Sequence, residues 1–183
     1  DHLMKMNELA KQEQTLIHDS LKRFVKDVDT IMEHTLGMVT TLSQYMGVIT
    51  ERLGTSLHTN APRHKAKLER LHYSGLSKLL EQPGSSEDLQ PFRSLISVFE
   101  NKDEACEAMD HEVASSNDVI VRIGEENDCP GLKNYSVVAK KFLYDGEPIG
   151  TIGVVGPKRM RYSHVVAAVE NITDQLDELL SSL

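Results

Sequence analysis

The sequence predicts an α+β fold, in which a long amphipathic helical region precedes a small antiparallel sheet packed with helices. Three observations predict it. Apolar residues recur at seven-residue spacing over residues 16–53, β-branched runs mark the last third, and a second seven-residue repeat closes the chain. Heptad spacing is typical of helices, whereas β-branched runs between turn residues are typical of strands.

The first predicted element is a helix from Leu16 to about Leu53, with an apolar stripe over four heptads. Gly37 and Gly47 weaken this helix and mark either a bend or a close helix crossing. The stripe is longer than a small domain covers, so we predict a dimer seam; packing on the chain's own domain is the alternative. The predicted seam residues are Leu21, Phe24, Val28, Ile31, Met38, Leu42, Tyr45 and Ile49.

The middle of the chain alternates between breaks and short helices. Residues 54–67 are rich in Gly, Ser, Thr, Asn and charged residues and predict a linker. A short helix or helical turn is predicted over 68–82, and Pro83 and Gly84 end it. Residues 87–100 predict a further helix, and Asp103 predicts the cap of another that runs to about Ala114.

The last third predicts three strands and a closing helix. The strands cover 119–123, 136–144 and 149–155, and Asp145-Gly146 between the last two is a strong hairpin signal. Ser163 is the expected N-cap of the final helix. Because three strands are few for a free sheet, helices must cover one of its faces.

Composition and charge exclude several classes of function. The chain has 183 residues and a net charge of -8. Its basic stretches, such as Lys158, Arg159 and Arg161, are short, so we expect that these residues alone do not bind DNA. Cys106 and Cys129 are expected to be free thiols in a reducing cytoplasm. No segment predicts a membrane span or a signal peptide. The first residue is Asp1 rather than Met, which is typical of a fragment or a processed chain.

No motif predicts catalysis, a metal site or a cofactor. Gly150, Gly153 and Gly156 match neither the dinucleotide nor the phosphate-loop pattern, and they favour close packing of a strand. The spacing of His58, His64 and His72 is wide for a metal site. The adjacent acids Glu125 and Glu126 resemble an acid–base pair, but a solvated loop end is the favoured interpretation. We therefore expect a protein that is not an enzyme.

One segment of thirteen residues carries a family resemblance. Gly150 to Tyr162 reads G-T-I-G-V-V-G-P-K-R-M-R-Y, which is very close to the motif G-x-I-G-V-I-G-P-x-R-M-x-Y of the HrcA heat-inducible transcription repressors. V-R-I-G-E-E-N at 121–127 and S-V-V at 136–138 resemble two other segments of that family. Residues 73–83 and 42–49 resemble it more loosely.

The resemblance implies a GAF-like regulatory domain and a function. HrcA proteins are dimeric repressors of chaperone operons that bind an operator through an N-terminal winged helix, and a GroEL-type chaperonin modulates them. The winged helix is not in this chain, so operator DNA is expected to be bound only through a domain outside it. The early GAF-like strands, expected between about Ile49 and Leu68, have no counterpart in the strand pattern. A structural junction is the expected role of Gly153, Gly156, Pro157, Arg159, Met160 and Tyr162.

These expectations give three regions and one preferred function. Residues 1–57 are the predicted helical dimerisation region, 58–86 a linker with a short helix, and 87–183 a GAF-like α+β regulatory domain. The preferred function is negative regulation of heat-shock genes in the cytoplasm, as a homodimer. The alternatives are a GAF-like small-molecule or protein-interaction sensor, and a truncated modulator that forms heterodimers with a full-length repressor.

Overall fold

The computed structural model describes residues 11–17, 28–53, 68–83 and 87–182. It confirms the α+β class, with one antiparallel sheet packed with helices. In chain order the elements are α1 (11–17), α2 (Val28–Ser43), β1 (Met46–Leu53), β2 (Leu68–Ser74), α3 (Leu76–Leu80), α4 (Gln90–Glu100), α5 (Lys102–Val113), β3 (Ile120–Ile123), β4 (Ser136–Tyr144), β5 (Glu147–Gly156) and α6 (Tyr162–Ser181). Between β3 and β4 lie two 3-10 turns, Gly124–Glu126 and Pro130–Leu132.

The sheet has five described strands in the order β2-β1-β5-β4-β3, and all four pairings are antiparallel. The central strand β5 pairs with β1 through Met46 opposite Val155, and with β4 through Val137 opposite the same residue. One sheet therefore takes strands from each of the predicted regions 1–57, 58–86 and 87–183.

The predicted long helix is corrected at its C-terminal end. Helix α2 ends at Ser43, and Gln44 has a φ of 64°, a left-handed conformation that ends the helix. Residues 46–53, which were predicted as helix, form strand β1. Met46, Ile49 and Leu53 kept the helical spacing by coincidence, because β1 is covered on both faces and is therefore apolar at consecutive positions.

The predicted helix over 68–82 and the missing early strands are also corrected. Residues 68–74 form strand β2, and only Leu76–Leu80 are helical. Strands β1 and β2 pair with each other at the two ends of the range, about Ile49 to Leu68, where the family resemblance implied early strands. Over the described ranges, the sheet consequently has five strands in place of the predicted three.

Two apolar cores lie on opposite faces of the sheet. Residues alternate in direction along a strand, and in β1 Ile49 joins one core whereas Met46 and Val48 join the other. Helices α2 and α6 cover the first face, and α4 and α5 cover the second. Helices thus cover both faces, where the sequence predicted that they must cover one.

The turn and cap predictions have mixed outcomes. The hairpin is confirmed, since Asp145 and Gly146 connect β4 to β5 with φ values of 53° and 78°, the positive values that a type I′ turn needs. Helix α5 is capped by Asn101, whose side chain accepts from the Glu104 backbone N–H at 3.1 Å, and not by Asp103. Helix α6 begins at Tyr162, one residue before the predicted cap.

Candidate functional site

The described residues of the predicted seam differ in burial. Ile31 and Ile49 are fully buried in the chain's own core, so their side chains need no second copy. Val28 is 40% exposed. The half-buried members Met38, Leu42 and Tyr45 pack at the margin of the same core. Leu21 and Phe24 lie outside the described residues.

A groove runs between α1 and the outer side of α2, with a volume of about 620 Å³. Its mouth is marked by Leu16, which at 70% exposure is the most exposed of the large apolar side chains that the structure describes. Gly37 opens the groove further, because a Cβ added there would have no neighbour within 4 Å. The described residues that line the groove are Gln12, Glu13, Leu16, Ile17, Glu33, His34, Gly37, Met38, Thr41 and Leu42.

The charges along this groove have one sign. Glu13 and Glu33 line it, and none of its described lining residues is Lys or Arg. Burial lowers the pKa of His34 below its usual value, because desolvation penalises the charged imidazolium. At neutral pH the groove therefore combines apolar surface with negative charge.

A buried ionic network ties α2 to the sheet. Glu51 is 1% exposed and has two basic neighbours. Its carboxylate oxygen Oε2 lies 2.7 Å from His72 Nε2 and 3.7 Å from Arg70 Nε. Arg70 also pairs with Asp29 at the start of α2. A buried carboxylate needs such partners. No local sequence pattern predicts this network, and its only signal is a charged residue, Glu51, in a run whose spacing predicts a helix.

A second polar cluster anchors α5 to the other face of the sheet. Asp110 Oδ1 accepts from the hydroxyls of Thr50 and Thr151, each at 2.8 Å. Its Oδ2 accepts from Arg52 Nε at 3.1 Å and Nη2 at 2.9 Å. Asp110 thereby joins α5, β1 and β5, a role that no local sequence pattern announces.

The glycines of the thirteen-residue motif allow close packing. A Cβ at Gly153 would lie 2.4 Å from Met109 Cε, and a Cβ at Gly156 would lie 2.8 Å from Met160 Sδ. Both distances are below van der Waals contact. The geometry is therefore that of a packed strand-to-helix junction.

The rest of the motif forms the turn from β5 into α6. Tyr162 Oη donates to the Lys158 carbonyl and lies 2.8 Å from Ser136 Oγ, so the tyrosine holds the turn against β4. Pro157 is half-buried, and Arg159 is exposed. His164 Nε2 lies 2.8 Å from the Leu42 carbonyl oxygen and links α6 to the last turn of α2, a contact that no local sequence pattern predicts.

The residues considered for chemistry do not assemble into a reactive site in the part of the chain that the structure describes. No group of three or more His, Cys, Asp or Glu there is placed to hold a metal ion. Glu126 Oε2 accepts from the Ile123 backbone N–H at 2.8 Å, and Glu125 lies 3.7 Å from Lys133 Nζ. Burial raises the pKa of the Cys129 thiol, which lowers its thiolate fraction.

Among the described helices, none is both long enough and apolar enough to cross a membrane.

Comparison with known proteins gives a consistent result. The family model "HrcA protein C terminal domain" matches residues 3–166. The chain is 32% identical over 168 residues to the heat-inducible transcription repressor HrcA of Natranaerobius thermophilus, covering 92% of this chain and 47% of that protein. It is 34% identical over 118 residues to the HrcA of Halalkalibacterium halodurans, covering 64% of this chain and 33% of that protein. The chain thus spans less than half the length of either relative.

A solved structure shares the fold. It is the crystal structure of a hypothetical protein, with a TM-score of 0.66 and 14% sequence identity over 97% of this chain and 78% of that chain. At that identity the likeness concerns the fold alone.

Proposed function

Since this chain belongs to the family of HrcA C-terminal domains, we propose that it is the regulatory and dimerising part of a repressor of heat-shock genes. The observation that carries the proposal is the family match over residues 3–166, together with relatives that are named heat-inducible transcription repressors. The motif Gly150 to Tyr162 lies within that match, at the β5–α6 junction. In this proposal the chain performs no catalysis.

The active form in this proposal is a homodimer. Support comes from the outer side of α2, where Val28 is 40% exposed and Met38 and Leu42 line an open groove with the exposed Leu16. Apolar side chains left exposed or half-buried on neighbouring helices are typical of a protein interface. The part of the predicted seam that faces the chain's own core, Ile31 and Ile49, stabilises the subunit instead.

Operator binding and regulation involve partners in this proposal. The net charge of -8 supports operator binding through a domain outside the chain, because phosphate contacts require clustered bases. A GroEL-type chaperonin is the proposed modulator, on the strength of the family resemblance. The site of action is the cytoplasm.

A gene deletion tests the proposed function directly. Deleting the gene that encodes this chain is expected to raise the transcripts of the chaperone operons at normal growth temperature, and a plasmid copy is expected to restore repression. A second gene copy with a premature stop codon is the matched control. Chaperone transcripts that stay at the parental level in the deletion strain would refute the repressor role.

A further inference from the structure

The charges along α6 are distributed unevenly between its two ends. The exposed residues Lys158, Arg159 and Arg161, which we call the basic end, precede the helix. Its first turn contains no acidic residue, and the first acid of the helix is Glu170. Further acids lie towards its C-terminus and on the β4–β5 hairpin beside it: Asp145, Glu147, Asp174, Asp177 and Glu178. A helix of 20 residues is about 30 Å long, so this acidic end lies far from the basic end.

The basic end has no partner in the ranges that the structure describes, where none of its three side chains forms an ion pair or a hydrogen bond. The β3–β4 loop comes close to it, because a Cβ at Gly124 would lie 3.0 Å from the Cε atom of the first of its lysines. The acids of that loop face other groups: Glu126 accepts from a backbone N–H of β3 at 2.8 Å, Glu125 lies 3.7 Å from Lys133 Nζ, and Asp128 lies 2.8 Å from His111 Nε2. In a chain of net charge -8, the basic end is therefore a local region of positive charge.

The backbone that carries the basic end is held in place by its neighbours. Tyr162 Oη donates to the Lys158 carbonyl and lies 2.8 Å from Ser136 Oγ on β4. Met160 packs on the other side of the turn, since a Cβ at Gly156 would lie 2.8 Å from its Sδ. A turn that is ordered in advance loses less conformational entropy when its side chains bind a partner.

Two kinds of anionic partner complement the basic end: the acidic end of a second copy, and the phosphate backbone of DNA. Contact between opposite ends of two copies is heterologous, so it continues from copy to copy instead of closing a twofold dimer. A duplex presents one negative charge per about 1.7 Å of its axis, which suits three cations gathered on one turn. DNA therefore fits both the charge of this surface and the closed dimer proposed above.

The basic end lies within reach of DNA that is bound by a domain ahead of residue 1, where the family resemblance implies a winged helix. Gln14 Nε2 donates to Asn171 Oδ1 at 3.3 Å, and Asn171 lies about 14 Å along α6 from its first residue. The 13 residues before Gln14 span at most about 47 Å when fully extended. A flank of about 20 base pairs is about 68 Å long, which exceeds this separation.

We propose that the basic end contacts phosphates of the DNA that flanks the operator, with the acidic end of α6 directed away from the duplex. This rests on the proposed function and assigns a second DNA contact to the repressor. The contact adds affinity without reading sequence, because phosphates carry no sequence information. Three cations are few, so they act on DNA that the DNA-binding domain already holds at high local concentration.

The salt dependence of DNA affinity tests the proposal on the full-length gene product that contains this chain. The probe is a duplex of a chaperone-operon promoter with about 20 flanking base pairs on each side of the protected site. Arg159→Gln with Arg161→Gln is expected to reduce the slope of log affinity against log salt by about 1.8, because each phosphate contact contributes about 0.9. The affinity advantage of the native protein should consequently fall about twelvefold when the salt concentration rises fourfold.

The matched control is Arg93→Gln with Lys102→Gln, two exposed cations on α4 and α5, which cover the other face of the sheet. A native protein that does not bind the promoter duplex would overturn the proposed function and this proposal with it. Native binding with an unchanged slope in the test variant, or with an equal change in the control, would overturn the phosphate contact and leave the repressor role standing. An unchanged slope with weaker association between copies in sedimentation would identify the acidic end of a second copy as the partner.

Directed cleavage locates the basic end on the DNA without altering its charges. Iron–EDTA is attached to Ser163→Cys, an exposed position in the first turn of α6, in a protein whose other accessible cysteines are replaced by serine. It is expected to cut the flanking DNA, whereas the same reagent on Ser97→Cys, an exposed position on α4, should leave the flanks intact. Intact flanks with Ser163→Cys, while the operator stays protected, would overturn the proposal.

Discussion

Asp110 joins α5 to strands β1 and β5, and removing its carboxylate tests whether this cluster holds the helix on the sheet. In Asp110→Ala the hydroxyls of Thr50 and Thr151, both 1% exposed, lose their shared acceptor. Arg52 loses its ion pair with the same carboxylate. The substitution therefore removes one acceptor group from three donor side chains at once.

The magnitude follows from the burial of each partner. A buried hydrogen bond to a charged group contributes about 1.5 kcal/mol at the lower end of its range. The Arg52 side chain is 47% exposed, so its ion pair is screened by solvent and contributes about 0.5 kcal/mol. We expect Asp110→Ala to lower the free energy of unfolding by about 3.5 kcal/mol, which corresponds to a fall in Tm of about 7–14 °C at this chain length.

Urea unfolding followed by circular dichroism measures the effect, with Glu107→Ala as a control on the exposed side of the same helix. The control is expected to change the free energy of unfolding by less than about 0.5 kcal/mol. Asp110→Asn, which keeps an acceptor oxygen, should lie between the two. A change in Asp110→Ala as small as that of the control would refute the reasoning.

Three further predictions concern packing, a helix contact and pH. Gly150→Ala is expected to destabilise the fold by at least about 2 kcal/mol, because its Cβ would lie 2.0 Å from a backbone oxygen of β1. Gly37→Ala should stabilise the fold by up to about 1 kcal/mol, because its Cβ would meet nothing within 4 Å. Changes in Tm of the same sign for both variants would refute this. His164→Ala removes the contact with the Leu42 carbonyl and should cost about 1 kcal/mol, measured by urea unfolding; an unchanged midpoint would contradict it. Desolvation raises the pKa of Asp177, so its folded state binds protons more tightly than its unfolded state does. The native chain should therefore lose stability relative to Asp177→Asn as pH rises from below the usual carboxyl range through the raised pKa, and parallel curves of stability against pH would exclude this.

The elements that local chemistry specifies were predicted correctly. The β4–β5 hairpin depends on Asp145-Gly146, two residues that tolerate positive φ, and its signal lies within a few residues. Helix α6 was predicted with its N-cap two residues from the observed one, Arg161, because its buried positions Val165, Val169, Ile172 and Leu176 recur at helical spacing. Both signals are independent of distant parts of the chain.

The errors arose where tertiary contacts decide the outcome. Strand β1 lies between β2 and β5 and is covered on both faces, so its sequence lacks the alternation that identifies a half-exposed strand. Strand β2 was predicted as part of a short helix or helical turn, because its leucines suit either structure, and pairing with β1, where Glu51 lies opposite Arg70, makes it a strand. The groove between α1 and α2 was partly predictable, since two of its lining residues, Met38 and Leu42, belong to the predicted seam. Which side of α2 remains uncovered depends on where α6 packs, and no local pattern specifies that.

The position of β1 beside β5 has a consequence for synthesis of the chain. Glu51 pairs with Gly150, so β1 leaves the ribosome about 100 residues before its partner strand exists. At translation rates of about 5–20 residues per second, the edge of β1 that pairs with β5 stays unpaired for roughly 5–20 seconds before β5 is synthesised. The apolar faces of β1 and β2 remain incompletely covered for the same time. During that interval the nascent chain presents unpaired strand and apolar surface to other proteins. The topology thus makes the yield of folded protein depend on what the surrounding cell supplies while the chain is being made.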